Sequence, residues 1–155
     1  MLTLKPNVAK SVCTITSDTQ HDAQLDSFPG PLGQILTHLI EKAILHCYDE
    51  GRNAGNISVE TRLVGAEHAS ITVRDCGRGI PADHMRHLFE PFFTTRLGQG
   101  GSGLGLYVVH NITTGVLGGT VEVDSVEGAG ATFTITIPLL APACKRLLDR
   151  VVPGV

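Results

Sequence analysis

The amino-acid sequence predicts a two-layer α/β sandwich, in which helices cover one face of a mixed and mostly antiparallel β-sheet. Apolar residues recur at helical spacing over residues 32–49 and again over residues 104–116. Apolar and polar residues alternate within the stretches 57–75 and 120–137, which is typical of strands that bury one face. With 155 residues, the chain is predicted to form a single domain with its own hydrophobic core.

The first 31 residues are expected to contribute a leading strand and a loop. Residues that favour strands are scattered between Leu2 and Ile15, and a polar run follows over residues 17–27. The sequence Pro29-Gly30-Pro31 predicts a break before the first helix begins at Leu32. Residues 32–138 form the predicted core, and residues 139–155 form a tail that is either a small helix or frayed.

The predicted core follows the order helix, two strands, short helix, loop, helix and two strands. Pro81 suits the first turn of a short helix that is expected to run to Leu88. Residues 94–102 lack periodicity and are rich in glycine, which predicts a mobile lid. The second long helix is predicted to end at Gly118-Gly119, and residues 127–130 are predicted to form a hairpin turn.

Charge and cysteine content exclude several classes of function. A formal net charge of −3 argues against a nucleic-acid surface, which needs clustered lysine and arginine, so nucleic acid is excluded as the main partner. The four cysteines lie far apart and form no C-x-x-C pair, as expected of a reduced cytoplasmic protein. No apolar run approaches the ~18 residues of a membrane span, so the chain is predicted to be soluble and to make no membrane contact itself.

The sequence Asp75-Cys76-Gly77-Arg78-Gly79 combines a carboxylate with two closely spaced glycines. Because glycine has no Cβ, a flat ligand can approach the backbone of such a segment closely. A carboxylate only accepts hydrogen bonds and therefore suits the amino group of adenine, which only donates them. Taken alone, the same pattern more often marks an ordinary Asp-Gly turn at the end of a strand.

A second glycine-rich segment, residues 101–106, directly precedes an apolar helical run. Its free backbone amides and the helix terminus behind them favour phosphate. The spacing Gly98-x-Gly100-x-x-Gly103, with Asp124 about 20 residues further on, also fits a dinucleotide-binding fingerprint. That alternative is disfavoured because residues 90–96 contain a proline and do not read as a buried strand, and a P-loop is excluded because no G-K-[ST] sequence follows.

Together the two segments resemble the ATP site of the histidine-kinase family, within the superfamily that includes DNA gyrase, the mismatch-repair ATPases and the ninety-kilodalton heat-shock chaperone. The resemblance extends over residues 32–138 and includes the phenylalanine-rich segment 89–93, which flanks the nucleotide lid in the family. It implies that Asp75 accepts a hydrogen bond from adenine. The ATP-binding residues that it implies are His46, Asp75, Gly77, Gly79, Ile80, Phe92, Gly101, Ser102, Gly103, Leu104, Gly105, Leu106 and Thr132.

The first helix departs from the family pattern Gln-x-Leu-x-Asn-Leu-x-x-Asn-Ala. Residues 34–43 keep the frame, but His38 and Lys42, the catalytic positions that the resemblance implies, replace both asparagines. In the family the second asparagine supplies an oxygen to Mg²⁺. A protonated lysine has no lone pair to give, and its charge about 4 Å from the dication would cost on the order of 8 kcal/mol at an effective dielectric of about 20. Lys42 is therefore expected to oppose Mg²⁺ and to pair with phosphate, the alternative being an ordinary solvated lysine.

The function implied by the resemblance is that of the ATP-binding catalytic domain of a two-component sensor histidine kinase. Such a domain transfers the γ-phosphoryl group of ATP to a histidine on a separate dimerisation domain, and its further partner is the receiver of a response regulator. The chain lacks an acceptor box, so it is expected to act in trans or as a piece of a longer protein.

Two alternatives to phosphotransfer stay open at this stage. A degenerate domain that binds nucleotide or a partner without transferring phosphate is favoured by His38 and Lys42. A gyrase-like hydrolase is disfavoured because it needs a glutamate base where His38 stands, and Glu41 lies about 100° round the helix from that position.

Overall fold

The computed structural model describes residues 13–19, 24–47, 55–95 and 101–142. Its elements, in chain order, are strand β1 (Cys13–Thr19), helix α1 (Pro29–Cys47), strands β2 (Gly55–Val64) and β3 (His68–Asp75), short helix α2 (Ala82–Met85), helix α3 (Gly105–Asn111) followed by a π-helical turn (Ile112–Val116), and strands β4 (Thr120–Ser125) and β5 (Ala131–Pro138). These strands form one sheet in the order β1-β2-β3-β5-β4. The β1–β2 pair is parallel and the other three pairs are antiparallel, as predicted.

The sheet buries one face because polar and apolar side chains alternate along its central strands. On β5, every second residue from Ala131 to Ile137 is buried, and β3 shows the same alternation. Helix α1 packs on this face and also contacts α3. The largest fully buried side chains of the core are Ile35, Leu39, Ile57, Val73, Val109, Leu117, Ile135 and Ile137. The predicted two-layer α/β sandwich is confirmed.

Helix α1 and strand β1 differ from the prediction in their bounds. Helix α1 starts at Pro29 rather than after Pro31, because a proline in the first turn lacks only an N–H group that has no partner within the helix. The Leu32 N–H donates to the Phe28 carbonyl oxygen at 3.1 Å. Strand β1 continues through the polar run to Thr19, because β2 pairs with it along its whole length.

The segment between Pro81 and Phe93 is less helical than predicted. Helix α2 ends at Met85 instead of Leu88. Successive turns follow, in which the N–H groups of His87, Glu90 and Phe93 each donate to the carbonyl oxygen three residues earlier, at 3.0, 3.0 and 3.3 Å. The predicted short helix is therefore a single helical turn with a chain of tight turns behind it.

The second long helix is found where it was predicted, but its last turn is wider than an α-helical one. The Leu117 N–H donates to the Ile112 carbonyl oxygen at 3.0 Å, which is the spacing of a π-helix. Thr113 is fully buried there, and its hydroxyl donates to the Val109 carbonyl oxygen at 2.7 Å. Gly118 ends the helix with a φ of +70°.

Some predicted features fall outside the described residues. They are the beginning of the leading strand before residue 13, the centre of the expected lid at 96–100 and the C-terminal tail from residue 143. Among the helices that are described, none combines the length and the apolar character needed to cross a membrane.

Candidate functional site

A cleft opens between α1 and one end of the sheet. Its walls come from α1, from the loop after β3 and from the first residues of β5, and the cleft is partly open to solvent. The lining residues are Lys42, His46, Asp75, Gly79, Ile80, Ala131 and Phe133. Except for Ala131 and Phe133, all of them were predicted as site residues from the sequence.

Asp75 forms the polar wall of the cleft. It is the last residue of β3 and is only 6% exposed, because it continues the buried face of that strand after Val73. Its Oδ1 accepts a hydrogen bond from the Gly77 N–H at 2.9 Å, and the backbone N–H of Ala131 also donates to the carboxylate. Burial raises the pKa of the Asp75 carboxyl, while these N–H groups and the positive charge of Lys42 act in the opposite direction.

The raised pKa of Asp75 predicts how stability depends on pH. A carboxyl whose pKa is higher in the folded chain binds its proton more tightly on folding. Its contribution is complete below the ordinary value of 3.8 and is lost as the pH rises through the folded pKa. As the pH rises from 3.8 to above the folded pKa, the free energy of unfolding of the wild type, relative to that of Asp75→Asn, is expected to fall and then to level off. Urea unfolding of both proteins at a series of pH values measures the difference, and a difference that grows with pH would contradict the prediction.

The turn between β4 and β5 supports the loop that follows Asp75. The Ser125 hydroxyl oxygen accepts a hydrogen bond from the Ile80 N–H at 2.9 Å, and the same hydroxyl donates to the Gly130 carbonyl oxygen at 2.8 Å. The Gly128 N–H donates to the Arg78 carbonyl oxygen at 2.6 Å. Ser125 was not predicted as part of the site, because its partner Ile80 lies 45 residues away in the sequence and no local motif marks it.

The two glycines after Asp75 lie where the chain has no room for side chains. A Cβ on Gly77 would lie 2.8 Å from the His46 carbonyl oxygen. Gly79 has a φ of +71°, and a Cβ there would overlap the Val126 carbonyl oxygen. The predicted close approach at these glycines is thus an approach of protein backbone, which fixes the loop beside the cleft.

Three basic side chains follow one another along one face of α1. His38, Lys42 and His46 are four residues apart, so they lie on one face of the helix about 6 Å apart along its axis. Lys42 and His46 line the cleft together with Asp75. The Nδ1 atom of His38 lies 3.7 Å from where a Cβ of Gly105 would be. The row therefore connects the Asp75 end of the cleft with the start of α3.

The predicted phosphate-binding segment lies at the start of α3. Residues 101–104 precede the helix, and Gly105 begins it. The Ser102 hydroxyl oxygen accepts a hydrogen bond from the Leu104 N–H at 3.3 Å. Gly103 has a φ of +71°, and a Cβ there would lie 2.5 Å from the Phe92 carbonyl carbon. The segment is therefore held against the phenylalanine-rich turn by backbone contact.

Phe92 and Leu106 were predicted as ATP-binding residues, and their side chains do not line the cleft. The Phe92 side chain is 72% exposed, and its φ of 65° belongs to a tight turn. Leu106 is only 7% exposed and packs in the hydrophobic core, as expected for an apolar residue in the first turn of an amphipathic helix.

The Thr132 side chain, predicted at the site, does not line the cleft. The Thr132 hydroxyl lies on the opposite face of the sheet, where it accepts a hydrogen bond from the Arg74 Nε–H at 3.3 Å. Its neighbours Ala131 and Phe133 are buried and line the cleft. Side chains alternate along a strand, so an error of one residue moves a side chain to the other face. The alternation of β5, with Phe133 as the buried reference, would have predicted Ala131 and Phe133 instead.

The family resemblance implies Mg²⁺ in this cleft, and the residues present do not fit it. Mg²⁺ prefers oxygen ligands in an octahedral arrangement. Among the lining residues Asp75 alone carries a carboxylate, which already accepts backbone hydrogen bonds, and Lys42 contributes a cation that has no lone pair. Across the described parts of the chain, no group of three or more histidine, cysteine, aspartate or glutamate side chains could hold a metal ion.

Comparison with known proteins identifies the family to which this fold belongs. The sequence pattern of the family described as histidine kinase-, DNA gyrase B-, and HSP90-like ATPase matches residues 29–141, from the start of α1 to just past β5. The chain belongs to this family. Membership confirms the resemblance that was drawn from the two glycine-rich segments. Within this ATPase family, the cleft at Asp75 is the candidate nucleotide site.

Sensor kinases are among the relatives of this family member. Sensor histidine kinase ZraS of Salmonella typhimurium is 42% identical over 118 residues, which cover 76% of this chain and 24% of ZraS. Sporulation kinase E of Bacillus subtilis is 35% identical over 122 residues, which cover 79% of this chain and 16% of that kinase. The chain therefore spans a quarter or less of the length of these relatives.

Solved structures with the same fold are histidine kinases as well. The catalytic domain of histidine kinase ThkA, in a nucleotide-free form, matches with a TM-score of 0.74 and 27% identity over 86% of this chain and 84% of that one. Full-length ShkA in complex with AMPPNP matches with a TM-score of 0.65 and 25% identity over 81% of this chain and 25% of that one. Within the ATPase family, the chain thus has the fold of a histidine kinase catalytic domain.

Proposed function

We propose that the cleft binds ATP with adenine at Asp75 and the phosphates toward Lys42 and residues 101–105. The observation that carries this proposal is the buried Asp75 carboxylate, an acceptor at the wall of a cleft with apolar surface from Ile80 and Phe133 beside it. A flat heterocycle with an amino group fits such a pocket, because the apolar walls take the ring and the carboxylate takes the N–H.

The proposed reaction is transfer of the γ-phosphoryl group of ATP to a histidine on a separate dimerisation domain, followed by passage to the receiver of a response regulator. The sensor histidine kinase relatives support this reaction class. Phosphoryl transfer depends mainly on positioning and on neutralising charge. In this chain Asp75 would fix the base, and the row formed by His38 and Lys42 would face the phosphates. We place the reaction in the cytoplasm, in keeping with four cysteines that lie far apart in the sequence and form no C-x-x-C pair.

A second candidate function is nucleotide binding without phosphotransfer. His38 and Lys42 favour it, since they stand where the family pattern has two asparagines and change the charge at the centre of the site. In that case the chain would act as a nucleotide-dependent binding domain toward the same partners. Nucleotide binding is common to both candidates, and only the transfer step distinguishes them.

The experiment that tests the proposal is titration calorimetry of the 155-residue chain with ATP, ADP and GTP. ATP is expected to bind at least about tenfold more tightly than GTP, because guanine presents an acceptor oxygen where adenine presents a donor amino group, and would leave the buried carboxylate facing a lone pair. Equal affinities for ATP and GTP would contradict the adenine assignment. Incubation with γ-labelled ATP and an isolated histidine-bearing dimerisation domain then tests transfer, and binding without transfer would favour the second candidate.

A further inference from the structure

The Lys42 side chain brings a positive charge to the cleft. This residue lies between His46 and His38 on the face of α1 that lines the cleft, and its charge is close enough to Asp75 to lower the pKa of that carboxyl. An ammonium group offers three N–H donors and no acceptor. It therefore repels a metal ion and attracts an anion such as a phosphate group.

His38 extends this row of donors toward α3. Its ring lies beside Gly105, at the start of α3. A neutral imidazole still has one N–H to donate, and the backbone that precedes α3 is free of bulky side chains at residues 101–103. A polyphosphate that leaves an adenine ring at Asp75 would follow α1 past Lys42 and reach His38. The protein thus supplies its own positive charge and donors along the path.

We propose that Lys42, followed by His38, binds the polyphosphate of the nucleotide directly in the place of Mg²⁺, so that the ligand of this chain is a metal-free nucleoside di- or triphosphate. The inference rests on the proposed function and specifies the ligand of the same cleft. A metal-dependent site would need several oxygen ligands, and among the lining residues only Asp75 carries a carboxylate.

Lys42 also has a purely structural interpretation, as the counter-ion of the buried Asp75. The two roles differ in which ligands they affect. A lysine that pairs with phosphates contributes to the binding of ATP and ADP and contributes nothing to adenosine. A lysine that only compensates the charge of Asp75 affects the binding of adenine, so its loss would lower the affinities for adenosine and ATP by the same factor.

The test is titration calorimetry of adenosine, ADP and ATP into the 155-residue chain, once with excess Mg²⁺ and once with EDTA. The variants are Lys42→Met, which keeps the length and apolar stem of the half-buried side chain, and His38→Asn. The control is Arg62→Gln, which removes a positive charge from an exposed pair with Glu60 on β2. Circular dichroism of each variant verifies that it is folded.

For the wild type, ATP is expected to bind at least as tightly in EDTA as in excess Mg²⁺, because Mg²⁺ complexes the metal-free nucleotide that the cleft would take. In EDTA, Lys42→Met is expected to lower the affinity for ATP and ADP by about tenfold or more and to change the affinity for adenosine by less than about twofold. Arg62→Gln is expected to change none of these affinities. His38→Asn is expected to lower the affinity for ATP more than that for ADP.

Two outcomes would overturn the inference while leaving ATP binding intact. One is wild-type binding of ATP that is lost in EDTA, and the other is an equal loss of adenosine and ATP affinity in Lys42→Met. Absence of ATP binding by the wild type in both buffers would instead overturn the proposed function, and the inference with it.

Discussion

Asp75→Asn is expected to lower the affinity of the chain for ATP by about 10- to 100-fold and to remove its preference for ATP over GTP. The carboxylate oxygen that faces the cleft is an acceptor, and hydrogen bonds to charged groups contribute about 1.5–3 kcal/mol. Gly77 donates to Oδ1, so an asparagine would keep its carbonyl oxygen there and turn its amide NH₂ toward the ligand. A donor would then meet the amino group of adenine. Titration calorimetry with ATP and GTP measures both effects.

Asp124→Asn provides the matched control for this change. Asp124 is an exposed residue of β4, paired with Thr132 and therefore on the face of the sheet opposite to the cleft. The substitution is chemically identical and removes the same charge, but it should leave ATP affinity unchanged within about twofold, because exposed charges at a distance are screened. If Asp75→Asn binds ATP as well as Asp124→Asn does, Asp75 does not contact the base.

Most of the fold could be predicted from the sequence because its elements have a strong period. Helix α1 buries Ile35, Leu39, Ala43 and Cys47, as its helical pattern indicates, and leaves Leu36 half-buried. Strand β5 buries every second residue from Ala131 to Ile137, as its two-residue pattern indicates. Strand β1 could not be bounded in this way. Its residues 14–18 are exposed and mostly polar, so the strand depends on pairing with β2 and not on its own pattern.

The candidate site was predictable where a short motif carries it and unpredictable where distant segments meet. Asp75 and its two glycines lie within five residues of sequence, and this motif indicated them once it was combined with the second glycine-rich segment. Ser125 reaches the same loop only because β3 and β5 pair with each other and β4 pairs with β5. Thr132 lies one residue away from the positions that face the cleft. A shift of one residue along a strand moves a side chain to the other face of the sheet, and a glycine-rich turn alone does not indicate which residue faces inward.

Gly130→Ala is expected to destabilise the folded chain by about 2–5 kcal/mol, since it combines two costs. Gly130 has a φ of +90°, which an L-residue with a side chain adopts only with strain. A Cβ there would also overlap the carbonyl oxygen of Asp75 and lie 3.0 Å from the Cα of Cys76. These neighbours are backbone atoms and cannot rotate away, so the loop that carries Asp75 must shift. Urea unfolding measures the loss of stability, and calorimetry at low temperature measures the accompanying loss of ATP affinity.

Gly128→Ala separates the two costs. Gly128 lies two residues earlier in the same turn with a φ of +84°, and a Cβ there would meet nothing within 4 Å. This variant carries the backbone strain alone, so a loss of about 1–2 kcal/mol and unchanged ATP affinity are expected. The difference between the two variants then reports the contact between the β4–β5 turn and Asp75. If both variants lose the same stability and bind ATP alike, the backbone at Asp75 accommodates the added Cβ without a cost. The turn then does not position the carboxylate on which nucleotide recognition depends.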